Sequence, residues 1–224
     1  NVLSSSVQRG IDIKGQDITI TSNIVNNNGT EGISIDFHVL PTERVTVANN
    51  DLAGNTVADL RVGASVVALV DASANWWGTN AVGAIAGRIS GTADYTPWLD
   101  VGTDTSADPG FQGSFSTLWV DDDSPQAGSV GRIQEGINLA SGSTVYVAPG
   151  SYAGNVLVNQ KITLQGAGDG PNPLVDTILL PPAGTVGIEV QVGGTGVTDR
   201  CVVRDLRVSG GGYGLRINNV LGYL

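Results

Sequence analysis

An all-β solenoid is what this sequence predicts, on three observations. A unit of two short alternating strands and an Asn-bearing turn recurs through residues 1–75. The same pattern returns after residue 140. The composition favours short strands joined by tight turns: 32 of 224 residues are Gly, none is Met, and only 14% are charged.

The first repeat reads Gly10-Ile11-Asp12-Ile13, then Ile18-Thr19-Ile20, then Asn23. The second reads Gly32-Ile33-Ser34-Ile35, Val45-Thr46-Val47 and Asn50. The third reads Asp59-Leu60-Arg61-Val62, Val66-Val67-Ala68-Leu69 and Asn75, so the asparagines stand 27 and 25 positions apart. Alternation with period two puts one face inward and one outward. The strand–turn–strand order never reverses, so successive units stack in parallel, about 4.8 Å apart, rather than as hairpins. Asn tolerates left-handed geometry at a recurring turn and can ladder with its counterparts.

The later strands are Val145-Tyr146-Val147, Val156-Leu157-Val158, Ile162-Thr163-Leu164, Thr177-Ile178-Leu179-Leu180 and Gly187-Ile188-Glu189-Val190. Val203 to Val208 and Gly214-Leu215-Arg216-Ile217 follow, with Gly187 and Gly214 again 27 apart. One helix is expected over 129–140, where Val130, Ile133, Ile137 and Ala140 form an apolar stripe. It precedes the strands of the second half, where it would cap the end of a coil stack. Residues 100–117 read as a linker, rich in turn formers and without apolar period. The expected organisation is therefore 1–99, a linker at 100–117, and 118–224.

A net charge of −10 argues against nucleic-acid partners and anionic membrane surfaces. No apolar run reaches membrane-spanning length, so no membrane insertion is expected. Cys201 is the one cysteine, which excludes an intrachain disulfide and fits a small buried apolar residue. The chain does not begin with Met and reads as a segment of something longer.

The second half resembles the opening of pectin-lyase-like, right-handed parallel β-helix proteins. The residues that carry the likeness are Trp119-Val120-Asp121-Asp122-Asp123, Ile133-Gln134 through Ala140, Gly142 through Tyr152, and Lys161-Ile162-Thr163-Leu164-Gln165-Gly166. The first half resembles later coils of the same superfamily, including the periplasmic NosD-like repeat proteins. Asn75-Trp76-Trp77-Gly78 and Tyr95-Thr96-Pro97-Trp98-Leu99 are similar to sequences where such solenoids close, so Trp76, Trp77, Pro97 and Trp98 are expected in a cap. The resemblance implies an extracellular or cell-surface right-handed parallel β-helix. It does not fix a function, because the superfamily includes lyases, hydrolases, adhesins and inert shafts.

Closing coils thus precede opening coils, and both termini fall within repeat sequence. The chain then reads as one period of a tandem array, a subunit stacking head to tail, or a permuted arrangement in which residue 1 follows residue 224. Counted through such a junction, Gly214 precedes Gly10 by 20 positions, a short coil. The outward row would read Glu189, Arg216, Asp12, Ser34, Arg61, with opposite charges adjacent. The expected seam comprises Val2, Leu3, Ile11, Asp12, Leu215, Arg216, Ile217 and Val220.

No catalytic residue is expected. Asp121, Asp122 and Asp123 are the one Ca2+ candidate, against a solvated entry turn, and their spacing is not that of an EF-hand. Otherwise neither cofactor nor metal is expected. Arg204, Arg207 and Arg216 could share a face as in a lyase; Asp205 should then point away from Arg204. Asp199 and Asp205 make a poor hydrolase pair. His38 has no accompanying nucleophile motif. The tryptophans could stack on sugars, against closing the apolar end of the stack; buried indoles favour the cap. The function expected is structural: a subunit or repeat of a fibre, sheath or adhesive stalk, with copies of itself or adjacent repeats as partner. The alternative is a carbohydrate-binding or polysaccharide-degrading β-helix.

Overall fold

The computed structural model describes residues 1–36, 44–196 and 199–218. It is an all-β chain of parallel sheets with one α-helix among the described residues. It divides into two units: 1–114 with 123–127, and 115–122 with 128–224. Residues 100–114 of the expected linker thus belong to the first unit. Phe111 is buried there and its N–H bonds the carbonyl of Ser22 at 3.1 Å.

In the first unit, β1 (Ile11–Ile13), β2 (Ile18–Thr21), β3 (Glu31–Ile35) and β4 (Val45–Ala48) are followed by β5 (Ala58–Val62) and β6 (Val70–Asp71). A 3-10 turn at Ala86–Arg88 leads into β7 (Ile89–Ser90), β8 (Ala93–Asp94) and β9 (Trp98–Leu99). Two parallel sheets result, in the orders β1-β3-β5-β7 and β2-β4-β6-β8. A third column of parallel bridges joins Val2, Ile24, Asp51 and Trp76. Ser22, Asn49 and Ala74 turn the corner between β2, β4 or β6 and that column, each with φ between 54° and 58°.

Ile33, Ile35, Val45, Val47 and Leu60 lie in the core; on β4 the intervening Thr46 is partly exposed, whereas on β3 the intervening Ser34 is buried as well. The expected strand at Val66–Leu69 is a loop; the strand lies at Val70–Asp71. The corner fixes this, because Ile18, Val45 and Val70 all stand five positions before their ladder asparagine.

That ladder is observed. Asn23 N–H and Nδ2 both donate to Asn50 Oδ1 at 3.0 Å, and Asn50 repeats the pattern onto Asn75. Asn1 Nδ2 donates to Asn23 Oδ1 at 2.9 Å. A second ladder runs from Asn28 to Asn55 to the buried Asp59. Each buried amide satisfies backbone groups that the corner would otherwise strand away from water.

In the second unit, β10 (Thr117–Val120) precedes α1 (Arg132–Leu139). Then come β11 (Thr144–Val147), β12 (Gly150–Ala153), β13 (Val156–Val158) and β14 (Thr163–Gln165). The rest are β15 (Thr177–Leu180), β16 (Val186–Val190), β17 (Val202–Arg204), β18 (Arg207–Val208) and β19 (Tyr213–Ile217). Within this unit β10, β11, β14 and β17 stack in parallel, as do β12-β15-β18 and β13-β16-β19.

Two expectations need correction here. The helix begins at Arg132, not 129: Gly131 is extended and Val130 is 44% exposed, so the apolar stripe shortens to Ile133, Ile137 and the flanking Ala140. The run Val203–Val208 is not one strand, because Asp205 takes φ 58° and turns a corner between β17 and β18. This is the same device as at Ser22, Asn49 and Ala74. α1 packs on β10, β11 and β13, and Gly136 is required there: a Cβ would come within 2.7 Å of Val120 Cγ2.

Candidate assembly edges

The ends of the sheets are of two kinds, covered and bare. In the second unit, the edge of β13 is covered from α1. Gln134 accepts from Leu157 N–H at 2.6 Å and donates to Leu157 O at 3.1 Å, so one amide side chain occupies the strand's open backbone groups. Gln160 reaches the other way, donating to Ala140 O at 3.0 Å at the helix end. The edge of β12 is covered too: Asp122 Oδ2 accepts from Ser151 N–H at 2.8 Å.

At the opposite ends of these sheets no further strand pairs among the described residues. β17, β18 and β19 each lie last in their sheets. Leu215 is 52% and Ile217 51% exposed, although their register partners Ile188 and Val190 are buried. With Val190, Cys201, Val202 and Val203 they line an apolar recess. Burial pushes the Cys201 thiol pKa up, so it behaves as an apolar group there. Arg216 pairs with Glu189 on the outward row, and Asn218 Nδ2 and Gln191 Nε2 also donate to Glu189. The hydrogen bond from Gln191, followed by that from Arg216, holds the Glu189 pKa down to about 2.

The first unit shows the same contrast. Its closed end is polar where it must be. Arg88 grips the buried Asp59 with Nε at 2.6 Å and Nη2 at 2.7 Å, and also reaches Asn55 O, ending the second ladder. Burial pushes the Asp59 carboxyl up, while the bonds from Arg88 and Asn55 pull it down. Asp94 on β8 accepts from Thr96 N–H and Ser124 Oγ at 3.2 Å and from Ala127 N–H. Trp77, Pro97 and Trp98 are buried, with Tyr95 tilted against Trp98 at 6.2 Å. Trp76 is half-buried, and Gly102 passes so close that a Cβ there would meet its indole. Burial of Trp77 and Trp98 leaves neither indole available to stack on a sugar.

At the other end, β1 and β2 are first in their sheets. Val2, Leu3, Ile11 and Ile20 line an open recess together with the polar Asn1, Thr19, Thr21 and Asn23, and Val2 is mostly exposed. Asp12 points outward, 2.9 Å from Arg9 Nη1 and 3.5 Å from Lys14 Nζ.

Of the expected seam, Val2, Leu3 and Ile11 therefore gather at one recess, with Asp12 beside them. Leu215 and Ile217 gather at another recess, with Arg216 beside them. Val220 lies outside the described residues, as does His38. Arg204, Arg207 and Arg216 do not share a face: they lie on β17, β18 and β19, in three sheets. The corner at Asp205 brings its carboxylate 3.7 Å from Arg204, contrary to the alternation argument. Asp199 is engaged with Lys161 and Thr195, and these bonds hold its pKa down to about 2. Of the three Ca2+ candidates, Asp121 is buried and Asp122 accepts from Ser151 N–H at the β12 edge.

Gln134, Arg88 and Asp94 carry the covered ends and had no distinguishing mark in the sequence. The second ladder did have one, since Asn28 and Asn55 are 27 apart. Among the described residues, no helix is long and apolar enough to cross a membrane. Compared with known proteins, the chain matches no family model, no curated protein and no solved structure.

Proposed function

We propose that the chain is a structural right-handed parallel β-helix of the pectin-lyase-like kind, acting outside the cell or at its surface as a subunit or repeat of a fibre, sheath or stalk. The partner is another copy or an adjacent repeat. The observation that carries this reading is the asymmetry of the ends. Side chains occupy the edges of β12 and β13, whereas among the described residues β19 is last and β1 first in its sheet, β19 beside an apolar recess and β1 beside one lined by both polar and apolar side chains. Proteins blunt sheet edges that must stay alone. An edge left open beside apolar side chains is suited to strand addition, and a head-to-tail contact of this kind propagates into an open filament. The reading assigns no catalytic step.

Negative-stain electron microscopy with light scattering tests it. Regular fibres or concentration-dependent multimers are expected. A chain that stays monomeric at every concentration would refute assembly.

A second reading, carbohydrate binding, rests on one observation. Trp119, Tyr146, Gln165 and Arg204 form one outward register row, with the two rings stacked at 4.7 Å and Arg204 donating to Gln165. Affinity electrophoresis in acidic polysaccharide gels, with and without Ca2+, tests it: retardation lost on Tyr146→Ala would favour this reading.

A further inference from the structure

Resting on the assembly reading, we propose that the strand completing β19 is β1 of a second copy, in the register Leu215↔Ile11, Arg216↔Asp12, Ile217↔Ile13. Four observations converge on this register.

The first is phase. Ile11 and Ile13 continue inward onto Ile33 and Ile35, and Leu215 and Ile217 continue inward onto Ile188 and Val190. A slip of one residue would turn every apolar side chain outward. The second is the order of columns. In the first unit a sheet strand, a single left-handed corner residue and a short pairing segment precede the column of β1 and β3. In the second unit β17, Asp205 and β18 precede the column of β16 and β19 in the same order. β19 and β1 thus hold equivalent places in their repeats.

The third is a glycine column. Gly187 stands beside Gly214 and Gly10 beside Gly32. A Cβ on Gly10 would fall 2.5 Å from Val25 Cγ1, and one on Gly187 would fall 2.6 Å from Val208 Cγ1. The proposed register alone joins these as Gly187, Gly214, Gly10, Gly32.

The fourth is charge, and it separates the registers that phase allows. In the proposed one Arg216 faces Asp12, extending the row as Glu189, Arg216, Asp12, Ser34, Arg61. A slip of two residues one way puts Arg216 against Lys14, a like charge; the other way puts it against Gly10.

Cysteine cross-linking reads this register directly. In a Cys201→Ser background, Asp12→Cys combined with Arg216→Cys places two thiols opposite one another on neighbouring strands, within disulfide reach. Oxidation is expected to give covalent multimers that reductant returns to monomer. Lys14→Cys combined with Arg216→Cys should give none. Linking by the Lys14 pair and not the Asp12 pair would overturn the register while leaving assembly intact. Multimers in solution with neither pair linking would place the contact elsewhere. A linked species that migrates only as a compacted monomer would show that the partner strand is the chain's own. Light scattering on the unmodified chain separates these results from failure of assembly itself. Both cysteine pairs occupy outward positions, and unchanged circular dichroism checks that the variants fold.

Discussion

β13 and β19 are the two margins of one three-stranded sheet, and they are treated in opposite ways. β13 is covered by Gln134, and Val158 is fully buried. β19 has the same alternation and register, yet Leu215 and Ile217 are half exposed. The inward residues of the two strands are alike, Val156 and Val158 against Leu215 and Ile217, while the outward residue between them is Leu157 in one and Arg216 in the other. Burial is decided by what lies beyond each strand: a helix carrying an amide of the right reach on one side and, among the described residues, no further strand of this sheet on the other. A β-strand's inward residue contributes to stability only when both neighbouring layers are present, so equivalent positions should carry very different energies.

The largest effect is expected from testing that difference at one register pair. Ile188→Ala removes a side chain enclosed between β13 and β19 and should destabilise by about 2–4 kcal/mol. Leu215→Ala, one strand away on the same inward row, should cost under about 1 kcal/mol in the dilute monomer. Urea unfolding of both variants measures this. Equal losses would mean that β19 is covered in the isolated chain, and the contrast between the margins would disappear.

An intermediate effect is expected from stripping the covered margin. Gln134→Ala leaves Leu157 N–H and C=O without the amide, although water can reach part of the site. The loss should be about 1–2 kcal/mol. Exposing a second sheet edge should also raise the light-scattering mass of the variant above that of the parent. Gln134→Glu is a finer probe, since it keeps the acceptor for Leu157 N–H and loses the donor to Leu157 O. A mass unchanged in both variants would show that Gln134 does not guard the edge.

The covered margins were the part least legible in the sequence. The repeat itself was plain, because Asn23, Asn50 and Asn75 do the same job in three successive corners and recur at nearly equal spacing. The second ladder shares that spacing, but Asn28 sits in the run Asn26-Asn27-Asn28 and the ladder ends in Asp59, so no uniform residue type marks it. Val66–Leu69 is as apolar and β-branched as a buried strand, and only the distance to Asn75 disqualifies it. Asp205 interrupts a run with strand-like composition, because a left-handed corner needs a tolerant residue and not a particular one. Gln134 looks like any polar residue on a helix surface. Its role comes from the distance between α1 and β13, which local pattern does not encode.

The smallest effect concerns the charge that enters the row only toward the bare margin. Leu157 on β13 is followed outward by Glu189 on β16 and Arg216 on β19. Glu189 has its pKa held at about 2, below its ordinary value of 4.5, by bonds from Gln191, Arg216 and Asn218. A carboxylate whose folded-state pKa is depressed stabilises the fold at pH values above its unfolded pKa. That contribution should therefore be whole above about pH 5 and fade as the pH falls through 4.5 toward 2. The Glu189 side chain is 16% exposed and that of its partner Arg216 46%, so salt should screen part of the effect. Glu189→Gln should flatten the acid limb of the urea midpoint against pH, and the difference from the parent should shrink at about 1 M salt. Asp199, held down to about 2 by Lys161 and Thr195, titrates over the same range and remains in both proteins, so only the difference between the two curves reports on Glu189. Curves that coincide would mean that the row's charges contribute nothing to the isolated unit. Their remaining role would then be to choose the register of the strand that joins β19, where Asp12 would give Arg216 its second carboxylate.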